Sequence, residues 1–498
     1  MKKNYFLFFL FFVSLLTYGQ VQIGNDIIGD QGGDQLGYTV ALSNNGKVVA
    51  IGTPFYDCNS SMTNCGNVRI YENQSGNWVK IGDFNSGFKN DNYGQTVSLS
   101  ADGNIVAIGV QNIDSGFTDN GMVVTYERDP ANPTNWLPRG VIYGGYMGNR
   151  FGGKVALSAS GKFLAVGAPV ATYNIPNSTD YKGYVDIYEY NATLVNRWKF
   201  VNRIEGAYAS AIFGNSLSFS SNENRIAIGA TGAGIDGKKS GYVVVYENQS
   251  GIWKPIGEAI NGAAGDEANG VSISLSADGK TLAIGASNYV TNGIKPGRVR
   301  IFEDQLGSWT QIGSDIKGEK DLDGFGYSLS LSDDANIVAI GAYGNDDKGS
   351  DSGKVRLYKN IAGTWSQIGK DIYGANDSRC GFSVSLSGDA NTIAIGSPIY
   401  DTSTSNNGLV RVYDLTTALG SDDFVLERFA VYPNPAIDFV TIQLQDNLTL
   451  ERVNIYNSLG QLVKTDSQHT INISTLAKGT YYFEVHTNQG KATRAVVK

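Results

Sequence analysis

Short stretches in which apolar residues alternate with Ser, Thr or Ala recur along the chain, as in Val271-Ser272-Ile273-Ser274-Leu275-Ser276. A period of two places alternate side chains on opposite faces of an extended strand. Around this stretch the pattern predicts four strands, at 271–276, 281–287, 298–304 and 309–315. SADGK links the first two and DQLGS the last two, both hairpin-type connections. No long helical period is visible.

The pattern repeats seven times. Its opening octet reads LGYTVALS (36–43), YGQTVSLS (93–100), FGGKVALS (151–158), FGNSLSFS (213–220), NGVSISLS (269–276), FGYSLSLS (325–332) and CGFSVSLS (380–387). The leading glycines Gly37, Gly94, Gly152, Gly214, Gly270, Gly326 and Gly381 are 57, 58, 62, 56, 56 and 55 residues apart. Four antiparallel strands per unit of this length is the signature of a propeller blade, so the pattern predicts an all-β, seven-bladed β-propeller. The seventh copy has three strands, ending at 409–414. VQIGNDIIG (21–29) matches TQIGSDIKG (310–318) and SQIGKDIYG (366–374), so the N-terminal strand is expected to close the last blade.

Trp78, Trp136, Trp198, Trp253, Trp309 and Trp365 open the fourth strand of six copies, with Gln20 at the equivalent place in the seventh. A tryptophan in nearly every unit reads as inter-blade packing rather than a sugar platform. The alternating first strand, with its small residues, is placed innermost, where blades crowd.

Strand direction sorts the loops. The short, uniform links (NNGK, ADGN, ASGK, NQSGN) share one face. The longer, variable ones share the other, including 53–66, 168–183, 342–353 and the inter-blade links 29–37, 262–270 and 318–326. Loops on a rigid scaffold commonly carry binding residues, and this face is rich in Asp, Asn and Tyr. It is either the ligand face or a merely polar surface.

Of 498 residues, 62 are Gly and only 17% are charged, and the net charge is −8. There is no basic stripe of the kind a nucleic-acid binder shows. Residues 1–19 read as a signal peptide, with Lys2 and Lys3, an apolar run at 5–16, and small Thr17 and Gly19 before a cleavage site between Gly19 and Gln20. No later stretch is apolar enough to span a membrane. Cys58 and Cys65 share one predicted loop, which accommodates either a disulfide formed after export or two free thiols. Cys380, where four other copies carry Phe or Tyr, reads as a small buried hydrophobe.

The only histidines, His469 and His486, lie outside the repeats, which removes Ser-His-Asp catalysis and His-ligated zinc from the propeller. No catalytic, cofactor-binding or metal residue is assigned. Acidic residues recur at equivalent loop positions, which looks architectural. Gly232-Ala233-Gly234-Ile235-Asp236-Gly237 fits GxGxxG but leads into another strand, with no helix to receive a pyrophosphate, and reads as a loop.

The repeats, over about 21–415, resemble FG-GAP-type propeller repeats of the kind found in integrin α-subunit heads and bacterial surface proteins. The third copy carries both ends of that signature, Phe151-Gly152 and Gly167-Ala168-Pro169, and the sixth keeps Phe325-Gly326 with Gly341-Ala342. Calcium-binding members carry a DxDxDG loop between the first two strands. Here that link is shortened to ADGN, ADGK or GDAN, too few oxygens for a calcium site. The acidic loops 321–324 and 345–351 are the remaining weak alternatives.

Residues 429–498 resemble the type A sorting domain of the Bacteroidetes type IX secretion system through VYPNPAIDFVTI (431–442), VNIYNSLGQLV (453–463), ISTLAKGTYYFEV (473–485) and KATRAVVK (491–498). The motif positions are Tyr432, Pro433, Asn434, Pro435, Gly460, Gln461, Gly479, Tyr481 and Lys498. The strand pattern there predicts a small Ig-like β-sandwich, after a linker at 416–428. The resemblance implies passage through the periplasm, recognition by the type IX translocon and its processing peptidase, and delivery of 20–415 to the cell surface or the medium. The leading reading of the propeller is a non-enzymatic binding or adhesion module for a glycan or protein ligand. The alternatives are a polysaccharide-active enzyme with paired carboxylates, and a structural surface-layer component.

Overall fold

The computed structural model describes residues 20–114, 119–170, 182–232, 239–263, 265–402, 405–416, 418, 429–444, 448–458, 460–487 and 490–498. The leader 1–19 with Gly19, residues 233–237 of the GxGxxG stretch, 171–181 of one variable loop, and 417 with 419–428 of the linker lie outside these. The chain divides into two compact units, one spanning Val21–Leu419 and the other containing Gly420–Lys498.

The first unit is all-β. Its described residues form seven antiparallel sheets, six of them with strands in sequence order. The first sheet is Thr39–Leu42, Val48–Thr53, Asn67–Gln74 and Asn77–Asn85, and the fifth is Asn269–Leu275, Thr281–Ala286, Arg298–Asp304 and Trp309–Gln311, with Ile316–Lys317 added. In the seventh, Ser383–Leu386, Thr392–Ser397 and Leu409–Asp414 come from the end of the unit. Its outer strand comes from the beginning: Val21 pairs with Asp414, Gln22 with Tyr413, Ile27 with Val410 and Ile28 with Leu409. Arg411 grips Asp26 across this junction at 2.8 Å.

Each first strand packs beside the first strand of the next sheet, and that of the seventh beside that of the first. Every neighbouring pair of sheets shares a hydrophobic cluster. Ile27, Leu36, Val49, Ile51, Ala394, Val410 and Val412 form the one between the seventh and first. Second strands such as Val48–Thr53 and Ile337–Ala342 are buried at every position, which is why they read as continuous apolar runs.

The glycine pattern has a geometric cause. All seven leading glycines adopt left-handed φ between 82° and 88°, a region that glycine enters without a Cβ clash. The carbonyl of each lies where a Cβ on the second-strand glycine of the preceding sheet would stand: 2.0 Å for Gly52 against Gly94, 2.0 Å for Gly285 against Gly326, and 2.1 Å for Gly396 against Gly37. The two glycines of each repeat thus meet those of its neighbours at every sheet contact.

The tryptophans pack at these contacts too. The indole N–H groups of Trp78, Trp136 and Trp309 donate to the carbonyls of Ile23, Ile81 and Ile256 in the preceding sheet, at 3.0, 2.9 and 3.1 Å. The glycine after each isoleucine leaves room for the ring. That requirement corrects one sequence expectation. The fourth strand of the fifth sheet does not run unbroken over 309–315. It stops after Gln311 and resumes at Ile316, because Gly313, at φ 72°, bends the backbone under Trp365.

The second unit packs a three-stranded sheet (Phe429–Tyr432, Phe439–Leu444, Thr470–Asn472) against a four-stranded one (Leu462–Asp466, Leu450–Tyr456, Thr480–Thr487, Gly490–Val497). Val440, Val453, Ile455, Ile471, Phe483 and Val485 form its core, the alternating inward positions of both sheets.

Candidate functional site: the cavity framed by the first strands

The first strands carry two ladders of serine and threonine hydroxyls. Two residues after the leading glycine, Ser216, Ser272, Ser328 and Ser383 donate to the next sheet's leading-glycine carbonyls, Gly270, Gly326, Gly381 and Gly37, at 2.6–2.8 Å. Two residues further on, Ser98, Ser218, Ser274, Ser330 and Ser385 accept backbone N–H groups of Leu157, Leu275, Leu331, Leu386 and Leu42, at 3.0–3.1 Å. Both ladders continue from the seventh sheet to the first. The small polar residues of the alternating pattern are therefore inter-sheet staples.

At the short-turn end the frame is crossed by polar bonds. The carboxylate of Asp333 in the sixth sheet accepts from the Asn44 side-chain amide of the first, at 2.8 Å, and from the Ser221 hydroxyl of the fourth, at 2.9 Å. Backbone bonds run from turn to turn, including Gly388 N–H to the Asn44 carbonyl and Asp333 N–H to the Gly388 carbonyl. The frame is thus obstructed at this end.

At the opposite end, where the long loops lie, the first strands enclose a cavity of about 310 Å³. Residues directly after the leading glycines line it: Tyr38, Gln95, Gly153, Asn215, Val271, Tyr327 and Phe382. Three of these are aromatic, and they come together on one side. Phe382 lies 5.0 Å from both Tyr38 and Tyr327, centroid to centroid. Tyr343 joins at 4.6 Å from Tyr327, and Phe55 at 6.0 Å from Tyr38. All five rings are partly exposed. Burial raises the pKa of the Tyr38 and Tyr327 phenols, so both are protonated donors at neutral pH. The sheets on the other side present Gln95, Gly153, Asn215 and Val271, together with Lys154.

The variable loops around this end are held by their own polar groups. Three residues before the leading glycine stand Asp34, Asp91, Asn149, Glu267 and Asp323, each at most 4% exposed. Asp323 accepts the N–H of Lys320 at 3.0 Å and the Asn345 amide at 2.9 Å, while Glu267 accepts the Ala263 N–H at 2.8 Å and pairs with Arg298. Burial pushes the Asp34 carboxyl up to about 6, against a lowering bond from the Gln31 N–H. The recurring acids are loop staples. Asp347 is taken by Lys320 and Lys354, so the oxygens of 321–324 and 345–351 are largely committed. Among the described residues no group of three or more His, Cys, Asp or Glu is placed to hold a metal.

A second groove, about 840 Å³, lies on the loops of the first three sheets and contains Phe88, Asp91, Asp114, Tyr143 and Arg150. One carboxylate oxygen of Asp91 is buried there without a hydrogen-bond partner. Burial, with help from the negative charge of Asp114, raises its pKa. Nearby, a disulfide joins Cys58 and Cys65 within the loop 53–66. Cys380 is a buried free thiol, its pKa pushed up to about 11 by burial.

In the second unit most sorting-motif positions gather around the last strand. Asn434, between Pro433 and Pro435, donates to the Ala495 carbonyl at 3.0 Å and accepts the Val497 N–H at 2.9 Å. Gly479 and Lys498 exchange backbone bonds, the Lys498 ammonium caps the carbonyls of Ser474 and Leu476, and the Tyr481 hydroxyl donates to the Ala477 carbonyl. Tyr432 is exposed. Gly460 and Gln461 stand apart in the turn closed by Asn457.

Sequence reading missed the aromatic arc, Lys154 and Asp333. The signal available was departure from the repeat. With the seven octets in register, the residue after the glycine varies most, with six residue types in seven copies.

Comparison with known families agrees with this organisation. Residues 318–358 match the FG-GAP repeat, and residues 430–498 match the secretion system C-terminal sorting domain. The chain carries both: FG-GAP repeat sequence in its first unit and a sorting domain that marks it for export as its second. A relative described as ulvan lyase NLR42, from Nonlabens ulvanivorans, is 40% identical over 81 residues, which is 15% of this chain and 15% of that protein. No helix of the described residues is long and apolar enough to cross a membrane.

Proposed function

We propose that residues 20–415 form a closed seven-bladed propeller that acts at the cell surface or in the medium as a binding module, with the aromatic-lined cavity as its ligand site. The observation that carries this reading is the break in repetition at that cavity. At the short turn all seven copies place a serine in the same bond, but the residue just after the leading glycine differs from copy to copy and assembles Tyr38, Tyr327 and Phe382 into one partly exposed aromatic surface. Aromatic faces with phenol donors suit sugar rings and apolar side chains alike. Closure is supported by the pairing of 21–28 with 409–414 and by the hydroxyl ladders that pass from the seventh sheet to the first.

In the same proposal the leader 1–19 directs the chain to the periplasm and is cut between Gly19 and Gln20. The sorting domain then hands it to the type IX translocon and its peptidase. A chain ending at Leu415 is expected to accumulate in the periplasm, and its normal secretion would overturn this route. For the binding role, a glycan and matrix-protein array on the purified protein is expected to return a ligand whose affinity falls about tenfold or more in Tyr327→Ala or Phe382→Ala. Unchanged binding in both would remove the cavity from the reading.

The alternative of a polysaccharide-active enzyme draws on a different place. Asp91, its pKa raised by burial, and Asp114 share the second groove, and two carboxyl groups lining one groove are what a polysaccharide-cleaving acid–base pair needs. The relative's name, ulvan lyase, keeps polysaccharide cleavage in view. Release of oligosaccharides that stops in Asp91→Asn and Asp114→Asn would favour this reading over binding alone.

A further inference from the structure

The position two residues after the leading glycine is a hydroxyl in six copies: Thr39, Thr96, Ser216, Ser272, Ser328 and Ser383. In the third copy it is Lys154. This substitution gives up the inter-sheet staple the other residues make. It also brings an ammonium into a cavity that has no other charged residue in its lining. The Lys154 ammonium makes no ion pair or hydrogen bond with any described residue, and burial alone lowers its pKa. A partly buried ammonium without a partner is costly to the fold, and an anion arriving there relieves that cost. The chain as a whole is acidic, so this local positive charge runs against the general field. In a ring of seven, the third sheet faces the gap between the sixth and seventh, the sheets that supply Tyr327 and Phe382.

We infer that the cavity takes an anionic glycan, with a sulfate or carboxylate group on Lys154 and a sugar face on the arc of Phe382, Tyr38 and Tyr327. This rests on the binding reading above and adds the charge class of the ligand. One side of the site supplies stacking surface and phenol donors, and the other supplies a single point charge. A neutral saccharide would leave the lysine unpaired, and a small inorganic anion would leave the aromatic surface uncovered.

The test uses the whole purified protein with three probes: dextran sulfate, polygalacturonate and unmodified dextran. Lys154→Ser is the informative variant, because serine is what the fourth to seventh repeats carry, so the sheet is expected to keep or gain stability. Lys154→Arg keeps the charge. The wild type is expected to bind dextran sulfate or polygalacturonate and not dextran. Lys154→Ser should lose about tenfold or more of that affinity with no loss of Tm, and Lys154→Arg should retain most of it. Binding that is equal for dextran and its sulfate, or unchanged in Lys154→Ser, overturns the inference. If binding then still falls in Phe382→Ala, the cavity remains the site and only its charge preference is wrong. If no probe binds and the array on the same protein finds a ligand indifferent to Phe382 and Tyr327, the site itself is rejected along with the inference.

Discussion

The two ends of the first strand in each repeat follow opposite rules. At the end that enters the short turn, Ser43, Ser100, Ser158, Ser220, Ser276, Ser332 and Ser387 occupy the same place in all seven copies. Each is at most 1% exposed, and each accepts the N–H that begins the second strand, as Ser276 does from Thr281 at 3.0 Å. In six of them the hydroxyl also donates to an Asn or Asp two residues on, as Ser276 does to Asp278 at 2.7 Å. At the other end, the cavity wall is made by Tyr, Gln, Gly, Asn, Val, Tyr and Phe in turn. Where every copy must meet its neighbour in the same way, the residue repeats. Where the copies face a shared space, it is free to differ, and a site can be assembled from the differences.

The largest test of that contrast sets one glycine against another. Gly285→Ala would place a Cβ 2.0 Å from the Gly326 carbonyl, a backbone atom that cannot yield, and is expected to cost at least about 3 kcal/mol or prevent folding. At the cavity, the nearest atom to a Cβ on Gly153 is 3.1 Å away, so Gly153→Ala is expected to change Tm far less. Thermal unfolding of the pair is decisive, and equal losses would break the distinction between positions that meet the neighbouring sheet and positions that face the shared space.

Loss of one hydroxyl is the next step down. Ser276→Ala strands a buried N–H at Thr281 and is expected to cost about 2 kcal/mol, whereas Asn215→Ala at the cavity end should stay within about 0.5 kcal/mol. Urea denaturation reads both.

The smallest effect is one of sign in pH. Asp34, in a loop at the cavity end, has a folded pKa of about 6, above its unfolded value. The folded state therefore holds its proton more tightly, and this contribution is full below about pH 4 and lost as pH rises through 6. Asp34→Asn is expected to flatten a slope on the order of 2 kcal/mol over that window. Asp278, in a short turn, titrates the other way. Burial, its largest influence, would raise the pKa, but bonds from the Lys280 N–H and the Ser276 hydroxyl together lower it. Its contribution is present above about pH 4 and lost as pH falls. Stability measured from pH 3 to 7 on Asp34→Asn and Asp278→Asn should show the two slopes with opposite signs.

The all-β character, the repeat spacing and the sorting domain were legible in the residues because each depends on nearby chain. A left-handed glycine, a serine capping its own turn and a tryptophan opening a strand leave the same mark in each copy. The loop face was legible as a class of surface, but its weight fell on the Asp-rich loops, whose acids are spent on bonds within the loops. The cavity was legible only as a departure from the repeat, because its members are ordinary strand residues one place from a recurring glycine.

What the sequence determined by itself, then, is the unit and its contact with the next unit, since that contact is the same local geometry made over and over. Only the tertiary structure decided which side chains meet across the frame: Tyr38 against Phe382, Asp333 with both Asn44 and Ser221, and Lys154 alone in a shared space. Those meetings join residues hundreds of positions apart, and no periodicity encodes them. They exist because sheets packed side by side bring the first strands of distant repeats around one cavity.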